Sequence, residues 1–105
     1  MTDDTAQVIL TLSLTPELAE PIADWLLTHA PDLGFTSLAA HGHGIHPERL
    51  NLLEQVIGKQ RRVELQIVMP AARAATLIER MTSAFSHTDA YYWLTPVLRS
   101  GRFQA

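Results

Sequence analysis

The chain has 105 residues, 47% of them apolar, with 8 Lys and Arg against 11 Asp and Glu and no cysteine, which excludes disulfides, thiolate metal ligands and a thiol nucleophile. Its length suits one domain over 1–105 with a core that needs no metal or disulfide staple. The charge is uneven: residues 1–48 hold seven acids and no Lys or Arg, whereas 49–105 hold four acids and all eight bases. The acidic start Met1-Thr2-Asp3-Asp4 does not look like a secretory signal, and no apolar run approaches the ~18 residues of a membrane span. A cytoplasmic protein that is not inserted in a membrane is expected.

Residues 7–14 alternate, with Val8, Leu10, Leu12 and Leu14 on one face and Ile9, Thr11 and Ser13 on the other, so they predict a strand. Thr15-Pro16 supplies an N-cap and a proline at the first helical position, and Leu18, Ile22, Trp25, Leu26 and His29 follow at helical spacing. A helix over 16–29 is predicted, kinked or delayed by Pro21. Phe35 to His41 reads as a second strand ended by Gly42 and Gly44. The long connection 42–60 contains a short helix bracketed by Pro47 and Gly58. Residues 61–69 alternate over nine positions, with Val63, Leu65, Ile67 and Met69 facing the core. Pro70 opens a helix with a stripe of Ala74, Leu77, Ile78, Met81 and Phe85, and Tyr91 to Val97 makes the last strand.

Two βαβ halves joined in this order predict an α+β, ferredoxin-like βαββαβ sandwich, with four antiparallel strands and two helices on one face. The other face carries Ile9, Val68 and part of the Tyr91-Tyr92-Trp93 cluster among Thr11, Ser13, Glu64 and Gln66. A face of that mixed character calls for a partner sheet, so a homo-oligomer is expected.

Three imidazoles stand within six residues in His41-Gly42-His43-Gly44-Ile45-His46. If the strand continues, His41 and His43 point the same way, with alpha carbons roughly 6.5–7 Å apart, and His46 joins after the Gly44 turn. An all-nitrogen and oxygen site suits Zn(II), Cu(II), Ni(II) or Co(II). The competing reading is a glycine-rich strand end with solvated histidines. Lys59-Gln60-Arg61-Arg62 is a second constellation, a seat for phosphate or carboxylate to which Arg99 and Arg102 add cations, or else a solvated charge run paired with Glu54 or Glu64. The aromatics at 91–93 read as packing, and the acidic total charge argues against nucleic acid. No nucleophile elbow, phosphate loop or zinc-protease helix motif is present, and His87-Thr88-Asp89 reads as a loop, so a non-enzymatic protein is expected.

The element order, the long connection between the second and third strands, and the run Tyr91-Tyr92-Trp93-Leu94-Thr95-Pro96-Val97 followed by Gly101-Arg102 resemble the PII-like superfamily. Gly34-Phe35-Thr36-Ser37, His41-Gly42-His43-Gly44 and Glu54 to Arg62 are similar to an uncharacterised branch of short bacterial proteins often encoded beside heavy-metal efflux pumps. The resemblance implies a homotrimer with sheets packed inward and ligands in clefts between subunits near 42–60. Orthodox PII proteins bind ATP, ADP and 2-oxoglutarate and cradle phosphate in a glycine-rich loop before the last strand, but here Ala84 to Ala90 has no glycine. The trimeric copper-tolerance CutA group shares the architecture without that switch. The leading expectation is a PII-like sensor that binds a divalent transition metal through His41, His43 and His46 and works with an efflux transporter. The alternative is a nucleotide- or small-anion-binding module that uses Lys59, Arg61, Arg62 and Arg102 and regulates a partner protein.

Overall fold

In chain order the elements are β1 (Gln7–Leu14), α1 (Pro16–His29), β2 (Thr36–His43), α2 (Leu52–Ile57), β3 (Lys59–Pro70), α3 (Ala71–Ala84) and β4 (Tyr91–Val97). The structure, a computed structural model, describes residues 6–44 and 51–104. All neighbouring strands are antiparallel, in the order β2-β3-β1-β4. This is the ferredoxin-like sandwich that the element order predicts.

Period-two alternation decides which side is buried. Leu10, Leu12 and Leu14 of β1 and Leu65, Ile67 and Met69 of β3 meet Ile22, Leu26 and Ala30 of the α1 segment and Ala74 and Leu77 of α3 in one core. The register sets Leu12 against Leu65 and Leu10 against Ile67, so the two central strands present one continuous apolar surface to the helices. Trp25 stacks on His29, with ring centroids 4.2 Å apart, and meets Phe85 edge-on, while the Arg80 guanidinium lies 5.5 Å over the indole. This cluster ties α1 to the C-terminal end of α3.

Several boundaries differ from the expectation. α1 keeps the expected bounds 16–29, but it starts at Pro16 without delay and runs unbroken through Pro21. Thr15 occupies the N-cap position, but its hydroxyl makes no capping bond, and its carbonyl accepts the Leu18 N–H instead. β2 continues two residues beyond His41, because Gly42 is extended and the left-handed turn comes at Gly44 (φ 75°). β3 starts two residues earlier than its alternation suggests, so Lys59 and Gln60 lie within the strand. The short helix starts from Asn51, whose side chain accepts the Glu54 N–H while Glu54 accepts the Asn51 N–H, a capping box. Gly58 closes it in the left-handed conformation. Pro47, expected at its start, lies outside the described residues.

Candidate functional site

β1 ends at Leu14 opposite Val63, so residues 59–62 of β3 pair only with Ala40–His43 of β2 and form a ribbon that projects past the rest of the sheet. Directly across this ribbon His41 faces Arg61 and His43 faces Lys59. The Arg61 N–H points away from β2, into the place β1 has vacated, and donates to the Glu54 carboxylate at 3.0 Å. Backbone groups on one residue of an antiparallel ladder point to one side, so both pairs are of the narrow, non-hydrogen-bonded kind, with alpha carbons about 4.5 Å apart. Two imidazoles and two cations therefore share the helix-side face of the ribbon. Among the described residues, the Lys59 ammonium and the Arg61 guanidinium have no ion-pair partner.

Arg62 belongs to the opposite face. Its Nε donates to the Ser13 hydroxyl at 3.1 Å, one terminal nitrogen to Gln60 at 3.0 Å and Asp89 at 3.3 Å, and the other to the Ser13 carbonyl at 2.8 Å. Four of its five N–H groups are thus committed to β1, β3 and the loop before β4. Strand alternation splits the expected cluster: Lys59 and Arg61 stay together, and Arg62 becomes a clamp. Arg102 is placed elsewhere. Val97 pairs with Gln7, which pairs with Pro70, so the segment after β4 leaves from the far end of the sheet, and Arg102 does not join Lys59 and Arg61 within one chain. His41 and His43 are brought together on one exposed face, and His46 lies outside the described residues. Among the described residues no three His, Asp or Glu side chains converge as a metal site would require.

Glu54, which the sequence offers only as an ion-pair partner for the charge run, has a larger part. It is buried, caps α2 and holds the backbone of Arg61, and these N–H donors, Arg61 first and then Asn51, keep its carboxyl below the usual carboxylate range. Its spacing three residues after Asn51 is the readable signal. Beneath the ribbon lies a polar cavity of about 630 Å³, lined by Thr15, Glu17, Asn51, Glu54, Arg61 and His87 among others. Beside it, between the sheet and the helices, is an apolar cavity of about 230 Å³, and both share His87 and Thr88. His87 has a left-handed backbone (φ 66°), uncommon for a residue with a Cβ.

The family model for a protein of unknown function, DUF3240, matches residues 4–104. The chain belongs to the DUF3240 family. It is similar in fold to a DUF3240 family protein from Shewanella baltica OS155, with a TM-score of 0.72 and 21% identity over 99% of this chain and 100% of that one. A Bacillus cereus protein related to NIF3 shares the fold at a TM-score of 0.64 and 16% identity, over 92% of this chain, which spans about a quarter (26%) of that protein. No curated protein matches this DUF3240 chain. No helix among its described residues is long and apolar enough to cross a membrane.

Proposed function

We propose that this DUF3240 protein is a non-enzymatic, PII-like ligand-sensing module that takes a small anion, a phosphate or carboxylate, at the tip of the β2–β3 ribbon. The observation that carries this reading is the pairing of His41 with Arg61 and His43 with Lys59 on one face, with both cations unpaired among the described residues. Side chains that donate hydrogen bonds and carry positive charge at such spacing attract oxyanions. Glu54 provides the means of reporting. It binds the Arg61 backbone and caps α2, so a ligand that moves Arg61 also moves α2, whose exposed Leu52 and Leu53 offer contacts to a partner such as a transporter. Self-association, as a homotrimer, belongs to the same reading and uses the open sheet face.

A divalent transition metal is the second reading, supported by the two same-facing histidines of β2. Arg61 and Lys59 directly opposite oppose a dication there, since each unit-charge pair at 4 Å is worth about 1 kcal/mol even in bulk water. Calorimetric titration with phosphate, AMP, ADP and ATP, and separately with Zn(II), Cu(II), Ni(II) and Co(II), tests both. Anion binding lost in Arg61→Gln and Lys59→Gln is expected. Saturable metal binding lost in His41→Ala and His43→Ala, with no anion binding, would replace the first reading by the second.

A further inference from the structure

The apolar cavity is a half-open cleft at the edge of the core, lined by the buried Leu12, Leu14 and Ile22, by Ile78 and Met81 of α3 and by the exposed Tyr92 of β4. It holds about 230 Å³, with a mostly apolar lining that an apolar ligand group would shield from water. An apolar cavity of roughly 150 Å³ already accepts benzene, so this one has room for a ring or a branched aliphatic group. Its neighbour, which shares His87 and Thr88 with it, is polar, and two of the acids on its wall are already engaged. Glu54 is occupied by the Asn51 and Arg61 N–H groups, and Asp89 by Arg62. Among the described residues, Glu17 and Arg61, one acid and one base, remain on the wall without an ion-pair partner.

An apolar recess beside the Glu17 carboxylate and the Arg61 guanidinium, neither ion-paired among the described residues, suits a ligand that carries both charges and an apolar group. We propose that the two cavities together bind an α-amino acid with an apolar or aromatic side chain: the side chain enters the recess, the ammonium faces Glu17 and the carboxylate faces Arg61. This rests on the reading of Arg61 as an anion holder and narrows the anion to a carboxylate. His87 and Thr88 line both cavities, so the loop that carries the left-handed His87 marks their boundary, where the alpha carbon of the ligand would lie.

Titration with L-phenylalanine, 3-phenylpropanoate, 2-phenylethylamine and inorganic phosphate tests the proposal. Phenylalanine is expected to bind about tenfold more tightly than either single-charge analogue, the value of one charge-assisted contact. Arg61→Gln is expected to reduce phenylalanine to the level of 2-phenylethylamine, and Glu17→Gln to that of 3-phenylpropanoate. Ala90→Leu, which intrudes on the recess, is expected to abolish ring binding and leave phosphate binding intact. Should Ala90→Leu fail to fold, as judged by circular dichroism, the two exposed charge variants still decide the matter. Absence of saturable phenylalanine binding, or binding indifferent to Glu17→Gln, overturns the proposal. Phosphate binding that persists in that case leaves the broader anion reading standing, whereas phenylalanine binding without phosphate binding supports the amino-acid site and removes the phosphate reading.

Discussion

Asp32 and Arg73 show how one residue pair records its surroundings. The guanidinium makes a two-pronged bond to the carboxylate, with the Nη2 to Oδ1 contact at 2.8 Å, and it holds the Asp32 carboxyl at about 2, below an ordinary value of 3.8. A depressed carboxylate contributes stability that is complete above its unfolded value and lost as pH falls through the folded one. The melting-temperature gap between the wild type and Arg73→Met is therefore expected to be constant from pH 7 to 5 and to narrow as pH falls from about 4 through 2. A gap undiminished at pH 2 would assign the effect to packing of the Arg73 stem. Arg62 is the contrasting case, largely buried and bound at four N–H groups. Arg62→Met leaves the Ser13 carbonyl and Asp89 without their donor, and denaturant unfolding should show a loss of about 2 kcal/mol. Anion affinity at Lys59 and Arg61 is expected to change little in comparison, because Arg62 faces the other way.

Among the elements, α2 depends most on local chemistry. It has six residues, too few to be stable alone, and is held by the Asn51–Glu54 capping box, the left-handed Gly58 and the bond from Glu54 to β3. Asn51→Ala removes the acceptor for the Glu54 N–H and is expected to lower stability by about 1 kcal/mol. Hydrogen exchange should localise the loss: faster exchange at 54–61 with the central strands unchanged confirms the coupling, and a uniform change refutes it. The same bond explains why β3 stays extended back to Lys59 where β1 no longer accompanies it. Glu54 takes over as acceptor for the Arg61 N–H, so the projecting ribbon keeps a satisfied backbone at that point.

For the whole molecule, the consequence of covering the sheet on one side only is an open face where Val68 is 46% and Trp93 39% exposed while Thr11, at the sheet centre, is 2% exposed. Leu38 and Tyr91 extend the same face, and Leu98 and Phe103 beyond β4 are fully exposed. Apolar surface distributed in this way favours association with further copies. Light scattering on the wild type is expected to give three times the chain mass, and Trp93→Glu, which places a charge among these residues, a single chain mass. A wild-type chain that is monomeric at micromolar concentration would end the self-association proposal.

Much of this architecture was readable from residue order. The alternation in Val8–Leu14 and Val63–Met69, the helical stripes of α1 and α3, and the aromatic β4 are strong periodic signals, because each element must turn its apolar side to a shared core. The α+β sandwich and its one-sided helix layer follow from these patterns, as does the same-face placement of His41 and His43. Strand register was not readable. Only pairing across the sheet sets His41 against Arg61 and His43 against Lys59, turns Arg62 to the other face with Ser13 and Asp89, and sends Arg102 to the far end. Nor could the chain order reveal that Glu17, Arg61 and His87 line one cavity, since they belong to three separate segments. By itself the sequence determined which faces are apolar and which residue types are present for chemistry. The tertiary structure decided which of those residues meet, because hydrogen-bond pairing between distant strands is a long-range condition that local periodicity does not encode.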